Sequence, residues 1–300
     1  MKILTLLLAT LALAAVAYGF ALARAAIVSR QYVPRFEPIL LGAVTNFFDT
    51  LGIGSFAPTM AWMRFRKMVP DRLMPLTMLA GYILPSVAQA LIFLVLLGVR
   101  VDPWLIVACS ASMIVGGILG VPIALRLPIR VVQTIVGFAL LAAAYFYAMS
   151  NLGLMPSGGT ATTLPQPYFL IAVAAHLLFG ILISFGVGNY APTLAMLSLF
   201  GMDPRLAFPI MACAASFAGC ASAARVIGDK RIDLRIAVGL TLGAIPAVLI
   251  AAFVVRDLPL TMLRWLVTVV VTYAGVSLLI AAARRPDEPI DLRIERGVIG

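Results

Sequence analysis

Charge is what this chain has least of. Of its 300 residues 11% are charged and 63% hydrophobic, with a mean hydropathy of +1.08. Soluble domains carry about 25% charged residues, so an ordinary soluble domain is excluded. Histidine occurs once, at His176, and lysine only at positions 2, 67 and 230, followed by Ile, Met and Arg. A Walker A loop needs Gly-Lys-Ser/Thr, so an ATP-driven pump is excluded on that ground. The three cysteines, Cys109, Cys213 and Cys220, all fall in apolar stretches. They form neither a disulfide framework nor a zinc spacing, and read as small packing residues. No cofactor motif and no metal-ligand cluster is expected. The net charge of +10 does not indicate nucleic acid, because the basic residues sit at segment ends instead of along one soluble face.

What is present is long apolar runs. They fall at 3–24, 38–66, 73–99, 104–125, 130–150, 167–200, 206–227, 236–256 and 260–283. Most reach the ~20 residues that cross a bilayer, and the loops between them leave no room for a soluble domain. The expected fold is therefore an all-α polytopic membrane protein, with the lipid bilayer as its first partner. The start is ambiguous between a signal peptide and an uncleaved transmembrane anchor over 1–30. The apolar run exceeds a usual signal core and Arg24, Arg30 and Arg35 follow it, which favours the anchor.

Two of the runs are interrupted in the same way. Asn46–Thr59 reads NFFDTLGIGSFAPT, and 134 residues later Phe185–Thr193 reads FGVGNYAPT. At that offset Gly52, Gly54, Pro58, Thr59, Pro70 and Pro75 match Gly186, Gly188, Pro192, Thr193, Pro204 and Pro209. After a slip of three residues Arg100, Asp102 and Pro128 match Arg231, Asp233 and Pro259. The chain thus reads as the anchor, a first repeat over 38–150, an external linker over 151–166, a second repeat over 167–283 and a cytoplasmic tail over 284–300. Helices broken at matching places in two halves point to a transport site at the membrane midplane.

The basic residues bear on how the broken segments run. If each crosses fully, the 22 Lys and Arg divide twelve to ten between the two faces. If each turns back at its glycines, they divide seventeen to five, with Lys2, Arg100, Arg205, Arg256 and Arg264 on the minority face. Basic residues near segment ends set orientation, so the second arrangement is preferred. Each repeat is then a re-entrant hairpin plus three crossings. An odd number of crossings inverts the second repeat relative to the first, with seven full crossings in all, the N-terminus outside and the tail in the cytoplasm.

The breaks carry the candidate site. Gly52, Gly54, Gly186 and Gly188 supply permissive backbone. Ser55 and Asn189 are expected as N-caps of the outgoing arms, with Pro58 and Pro192 in the first turn. Two helix starts meeting at mid-depth, each carrying about half a positive charge, would receive an anion. Asn46, Thr59 and Thr193 complete the substrate-binding set. Asp49 is the one acidic residue well inside a segment, and Ile183 stands at its matching position. It reads either as a proton-coupling carboxyl or as a hydrogen-bonding partner of the turn. His176, Gln89 and Gln133 read as interhelical hydrogen-bonders, and Arg64, Arg66, Lys67 and Arg72 as cytoplasmic positive charge.

The string NFFDTLGIGSFAPT followed by MVPDRLMP, with GVGNYAPT and MDPRLAFP in the second half, resembles the sulfite exporter family TauE/SafE over about 38–283. That resemblance implies a secondary permease for small anions such as sulfite and organosulfonates, in a bacterial inner membrane. A passive anion channel stays open beside it, as does assembly into a homo-oligomer. An intramembrane serine hydrolase using Ser55 and His176 is a weaker rival, since GIGSF is not the G-x-S-x-G elbow and the second half has Asn189 in place of the serine. A scaffold role would leave the duplicated breaks unexplained.

Overall fold

A computed structural model describes residues 2–70, 73–97, 101–124, 128–154, 159–183, 188–227 and 232–284. Among the described residues there are eleven helices and no strand; one isolated bridge joins Ala161 to Met202. The tail and Gly186 lie outside the described residues. The helices are α1 (Lys2–Val28), α2 (Phe36–Thr50), α3 (Phe56–Phe65), α4 (Met74–Leu96), α5 (Pro103–Ala124), α6 (Ile129–Asn151), α7 (Gln166–Ile183), α8 (Tyr190–Leu199), α9 (Pro204–Ile227), α10 (Leu234–Asp257) and α11 (Leu260–Arg284). An apolar chain in lipid has to satisfy its backbone internally, and helices do so. Eight of the eleven are long and apolar enough to cross a membrane, which makes this a multi-pass membrane protein. The seven expected crossings are among them. The eighth is α7, whose 18 residues meet the length of a span, whereas α2 has 15 residues and α3 and α8 have 10 each.

Each broken segment is two helices, as read from the sequence, and the outer ends of each pair lie together. Glu37, at the start of α2, accepts hydrogen bonds from Arg66 Nε (2.8 Å) and Trp62 Nε1 (3.1 Å) at the end of α3. Tyr168, at the start of α7, stacks on Phe200 just past α8, with ring centroids 4.8 Å apart. Position 200 is the match of position 66, so the two closures use equivalent sites and different chemistry.

The two halves interlock instead of packing side by side. The first arm α2 packs chiefly on α10, and its counterpart α7 packs chiefly on α5, the counterpart of α10. Likewise α4 packs on α10 and α9 on α5, while α4 meets α9 and α6 meets α11. These pairings are preserved when the halves are exchanged, except that α8 also packs on α6 and α11, whereas its counterpart α3 packs on α4 and α2. Glycines make the cross-half contacts close. A Cβ on Gly243 would stand 1.8 Å from the Ile39 carbonyl oxygen, and one on Gly116 2.0 Å from that of Leu177. The equivalent of Gly243 in the first half is Ser112, whose hydroxyl donates to the Val173 carbonyl at 2.7 Å, and Val173 is the match of Ile39. Small residues let membrane helices approach to backbone contact.

At one end of the molecule, the start of α10 joins the α1–α2 connection, where Leu234 N donates to Gln31 Oε1 (2.9 Å). Gly239 packs on Pro38 there, so Arg66 shares its end with the α2 start. At the other end Arg205 Nη2 donates to the Leu258 carbonyl (2.7 Å) and Asn151 Nδ2 to that of Arg264 (3.1 Å). The linker joins this end, with Asp203 N donating to the Ala161 carbonyl at 3.0 Å. Helix α1 packs on α4, α9 and α10, and its buried Tyr18 hydroxyl donates to the Ala80 carbonyl at 2.8 Å.

Candidate functional site

The first break is built by a helix stop. Gly52 has φ +100°, Gly52 N donates to the Asp49 carbonyl (2.8 Å) and Ile53 N to that of Phe48 (3.1 Å). This paired closure by a left-handed residue is the Schellman arrangement, which glycine enters at least cost. Gly54 is left-handed too, at φ +90°. The permissive-backbone expectation therefore holds for Gly52 and Gly54. It does not hold for Gly188, which is outside the left-handed region.

The expected side-chain caps are corrected. Ser55 and Asn189 do occupy the position before α3 and α8, but neither side chain makes a capping hydrogen bond. Both have helical backbone, with ψ −28° and −15°, whereas a capping side chain normally projects from extended backbone. Asp49 takes over at the first break: its Oδ1 accepts from Ser55 N at 2.7 Å. The carboxyl reaches across six residues from the end of α2 to the start of α3. Asn189 instead ties α8 to α9, its Nδ2 donating to the Met211 carbonyl at 3.1 Å.

The breaks are brought together. A Cβ on Gly52 would stand 3.4 Å from Leu194 Cδ2 on α8 and 3.3 Å from Val270 Cγ1 on α11. Tyr190, the first residue of α8, donates from its hydroxyl to Gln89 Oε1 on α4 at 2.8 Å. Gly54 and Gly188, the last glycine of each break, both face open space, with no heavy atom within 4 Å of an added Cβ. Asp49 itself is half-buried.

Around this centre most polar groups are paired, the exception being the amide nitrogen of Gln89, which is buried with no hydrogen-bond partner among the described residues. The Tyr82 hydroxyl lies 2.6 Å from Thr59 Oγ1 and 3.0 Å from Thr45 Oγ1, so α4 pins both arms of the first break. Sequence reasoning missed Tyr82 and Thr45, because one tyrosine in an apolar helix is an ordinary packing residue; the threonines at matching helix depths were the available signal. In the second half, Thr193 Oγ1 is 3.5 Å from His176 Nε2, whose Nδ1 lies 2.8 Å from the Ala172 carbonyl. Both ring nitrogens of His176 are thus engaged away from Ser55. Asn46 is buried and donates to the Gly42 carbonyl of its own helix at 3.0 Å. Two surface clefts, about 580 Å3 beside Phe253 and about 310 Å3 beside Arg35, lie away from the breaks. The arrangement comprises the starts of α3 and α8, one tethered carboxyl and two glycines facing free space.

Comparison with known proteins gave one match. No curated protein and no solved structure matched the chain. The model of one family matches residues 168–299, from the start of α7 onward; the string NFFDTLGIGSFAPT lies outside that span. The family that the chain matches, over those residues, is Sulfite exporter TauE/SafE.

Proposed function

We propose that the protein is a secondary permease for small anions of the sulfite and organosulfonate class in a bacterial inner membrane. The two breaks form its substrate site, within re-entrant hairpins α2–α3 and α7–α8 of inverted repeats. The observation that carries this reading is the approach of the breaks, with Gly52 against Leu194 on α8. The Glu37–Arg66 and Tyr168–Phe200 closures support the hairpins, since a fully crossing segment would part those ends by the membrane thickness. They also put Arg66 with Arg35, as the seventeen-to-five division requires. The Tyr18 hydrogen bond supports α1 as a retained transmembrane helix.

Asp49 gives the reading a mechanism. Its carboxyl sits at the start of α3, where the helix dipole favours negative charge. It is a tethered anion in the seat that the substrate would use. Two negative charges a few ångströms apart in a medium of low polarity repel strongly. Substrate entry therefore requires Asp49 to take up a proton or swing away, and protonation at that carboxyl couples anion movement to a proton. The second break has Ile183 in place of the acid, so the start of α8 meets the substrate without a carboxylate at the position matching Asp49.

The test is uptake into proteoliposomes of sulfite, sulfate, thiosulfate and short sulfonates, with and without a pH gradient. The wild-type chain takes up the preferred anion faster under an inward proton gradient. Asp49→Asn keeps an acceptor for Ser55 N and loses the gradient response while retaining counter-transport. A pH response unchanged in that variant removes Asp49 from coupling. Uptake without counter-transport in either protein makes the pathway a passive channel. Ser55→Ala retains transport, whereas a hydrolase would lose all activity.

A further inference from the structure

We infer that the protein carries a binding site for an anionic phospholipid headgroup where the α1–α2 connection meets the start of α10, separate from the breaks. The cleft there, about 310 Å3, is lined by Ser29, Arg30, Gln31, Arg35, Asp233 and Arg235. Three arginines line it, and among the described residues no carboxylate lies within ion-pair distance of any of them. The nearby acids are occupied. Asp233 Oδ1 accepts from Ile236 N at 3.1 Å as the cap of α10, and Glu37, whose charge also reaches Arg35, is bonded to Arg66 and Trp62. The cleft therefore keeps a net positive lining, three arginines against the one Asp233 carboxylate, with hydroxyl and amide groups at its rim. That donor set fits a phosphate, which arginine binds by charge-assisted and often paired hydrogen bonds.

Two further observations favour a site over scattered positive charge. Arg30 has φ +55° and closes α1, with Arg30 N donating to the Ile27 carbonyl and Gln31 N to that of Ala26. Glycine takes such a position at lower cost, so an arginine there is held at some expense. Gln31 is fixed by its bond from Leu234 N, which ties the connection to α10 and keeps the cleft walls together. The source of the phosphate follows from what surrounds it. Tyr32, Val33 and Phe36 are 59%, 63% and 78% exposed, side by side with the arginines. Aromatic and apolar residues exposed at the level of basic ones mark the headgroup boundary of a membrane. Basic pockets between helices on the cytoplasmic side bind acidic lipids there. The cleft thus offers arginines to the phosphate and an apolar rim to the acyl chains.

The experiment is native mass spectrometry of the full chain in neutral detergent, titrated with phosphatidylglycerol, with phosphatidylcholine, and with inorganic phosphate as competitor. The wild-type chain retains one phosphatidylglycerol in preference to phosphatidylcholine. Arg35→Gln/Arg235→Gln weakens that binding roughly 30-fold, about fivefold for each guanidinium removed. Arg24→Gln, the same charge change as Arg235→Gln alone but outside the cleft, leaves it unchanged. Should the double variant fail to purify, Arg235→Gln alone gives the fivefold loss. Equal retention of both lipids, or equal loss in Arg24→Gln, overturns the site. Displacement of the lipid by millimolar phosphate overturns the lipid as its ligand and makes the cleft a site for free phosphate.

Discussion

Replacing single glycines in the two breaks by alanine separates what each contributes. Gly52 and Gly54 have φ of +100° and +90°, well beyond the left-handed helical value near +57°. An alanine held there costs on the order of 1–3 kcal/mol. Gly52→Ala adds contacts of 3.3 Å with Val270 and 3.4 Å with Leu194, which flexible side-chain ends absorb by a few tenths of an ångström. It therefore falls at the upper end of that range and Gly54→Ala lower. Gly188 has neither a left-handed φ nor an atom within 4 Å of an added Cβ. Gly188→Ala is neutral, or stabilising by about 0.4–1 kcal/mol through the unfolded chain. The assay is thermal unfolding of the detergent-purified chain followed by tryptophan fluorescence, where the first two variants lose several degrees and the third none. A loss in Gly188→Ala equal to that in Gly54→Ala would show that the second break depends on glycine backbone after all. Harmless Gly52→Ala and Gly54→Ala would show that α2 does not end through a left-handed turn.

Tyr82→Phe leaves the Thr59 hydroxyl without its 2.6 Å partner and destabilises the chain by about 1–3 kcal/mol; the same change made on Thr59→Val costs less than in the wild type, as a double-mutant cycle in unfolding measures. Arg66 beside Glu37 holds that carboxyl below its usual range. The stabilisation from this pair is present above the ordinary glutamate value near 4.3 and is lost as the pH falls through the lowered value. Glu37→Gln is therefore less stable than wild type at pH 7, and the difference vanishes in strong acid. Ser86 and Ser216 have hydroxyl oxygens 3.0 Å apart between α4 and α9. In a chain freed of its native cysteines, Ser86→Cys/Ser216→Cys closes under oxidation and abolishes uptake, and a reductant restores it; full uptake in the oxidised protein places the moving boundary elsewhere.

Much of the architecture was legible because a membrane chain has few options. Long apolar runs gave the helices, and Gly with Pro repeated in step gave the breaks at 51–55 and before Tyr190. The local chemistry of the breaks was less legible. Ser55 and Asn189 have the right identities for caps, yet capping depends on backbone angles, and both residues are helical. Asp49 fills the role at the first break through a contact six residues long, which no short spacing rule anticipates. The partners of the arms were hidden for another reason. Apolar helices differ little in surface chemistry, so nothing in α2 names α10 as its neighbour. Gly239 and Gly243 on α10 and Gly42 on α2 were the visible trace of that contact, since glycine inside a membrane helix signals a backbone approaching it.

That interlocking decides which parts can move. If the anion sits between the breaks, some pair of contacts around it must open toward each side in turn. The α2–α10 and α5–α7 contacts are poor candidates, because Gly243 against Ile39 and Gly116 against Leu177 bring backbone to backbone with no side chain between. Such surfaces neither slide nor part without losing their whole packing. On the proposed transport reading, the candidate mechanical units are not the sequence halves but α2, α3 and α4 with α10, and α7, α8 and α9 with α5, each mixing both halves. They meet along α4 and α9, where Ser86 and Ser216 are hydrogen-bonded, the buried Phe93 and Phe208 rings pack at 5.2 Å and α1 packs on both helices. Side chains meet across that boundary, so it can adjust by rotamer changes that the backbone-to-backbone glycine contacts do not allow. It also leaves Asp49 in one candidate unit and the start of α8 in the other, so that movement along this seam would change the distance on which the proposed coupling depends.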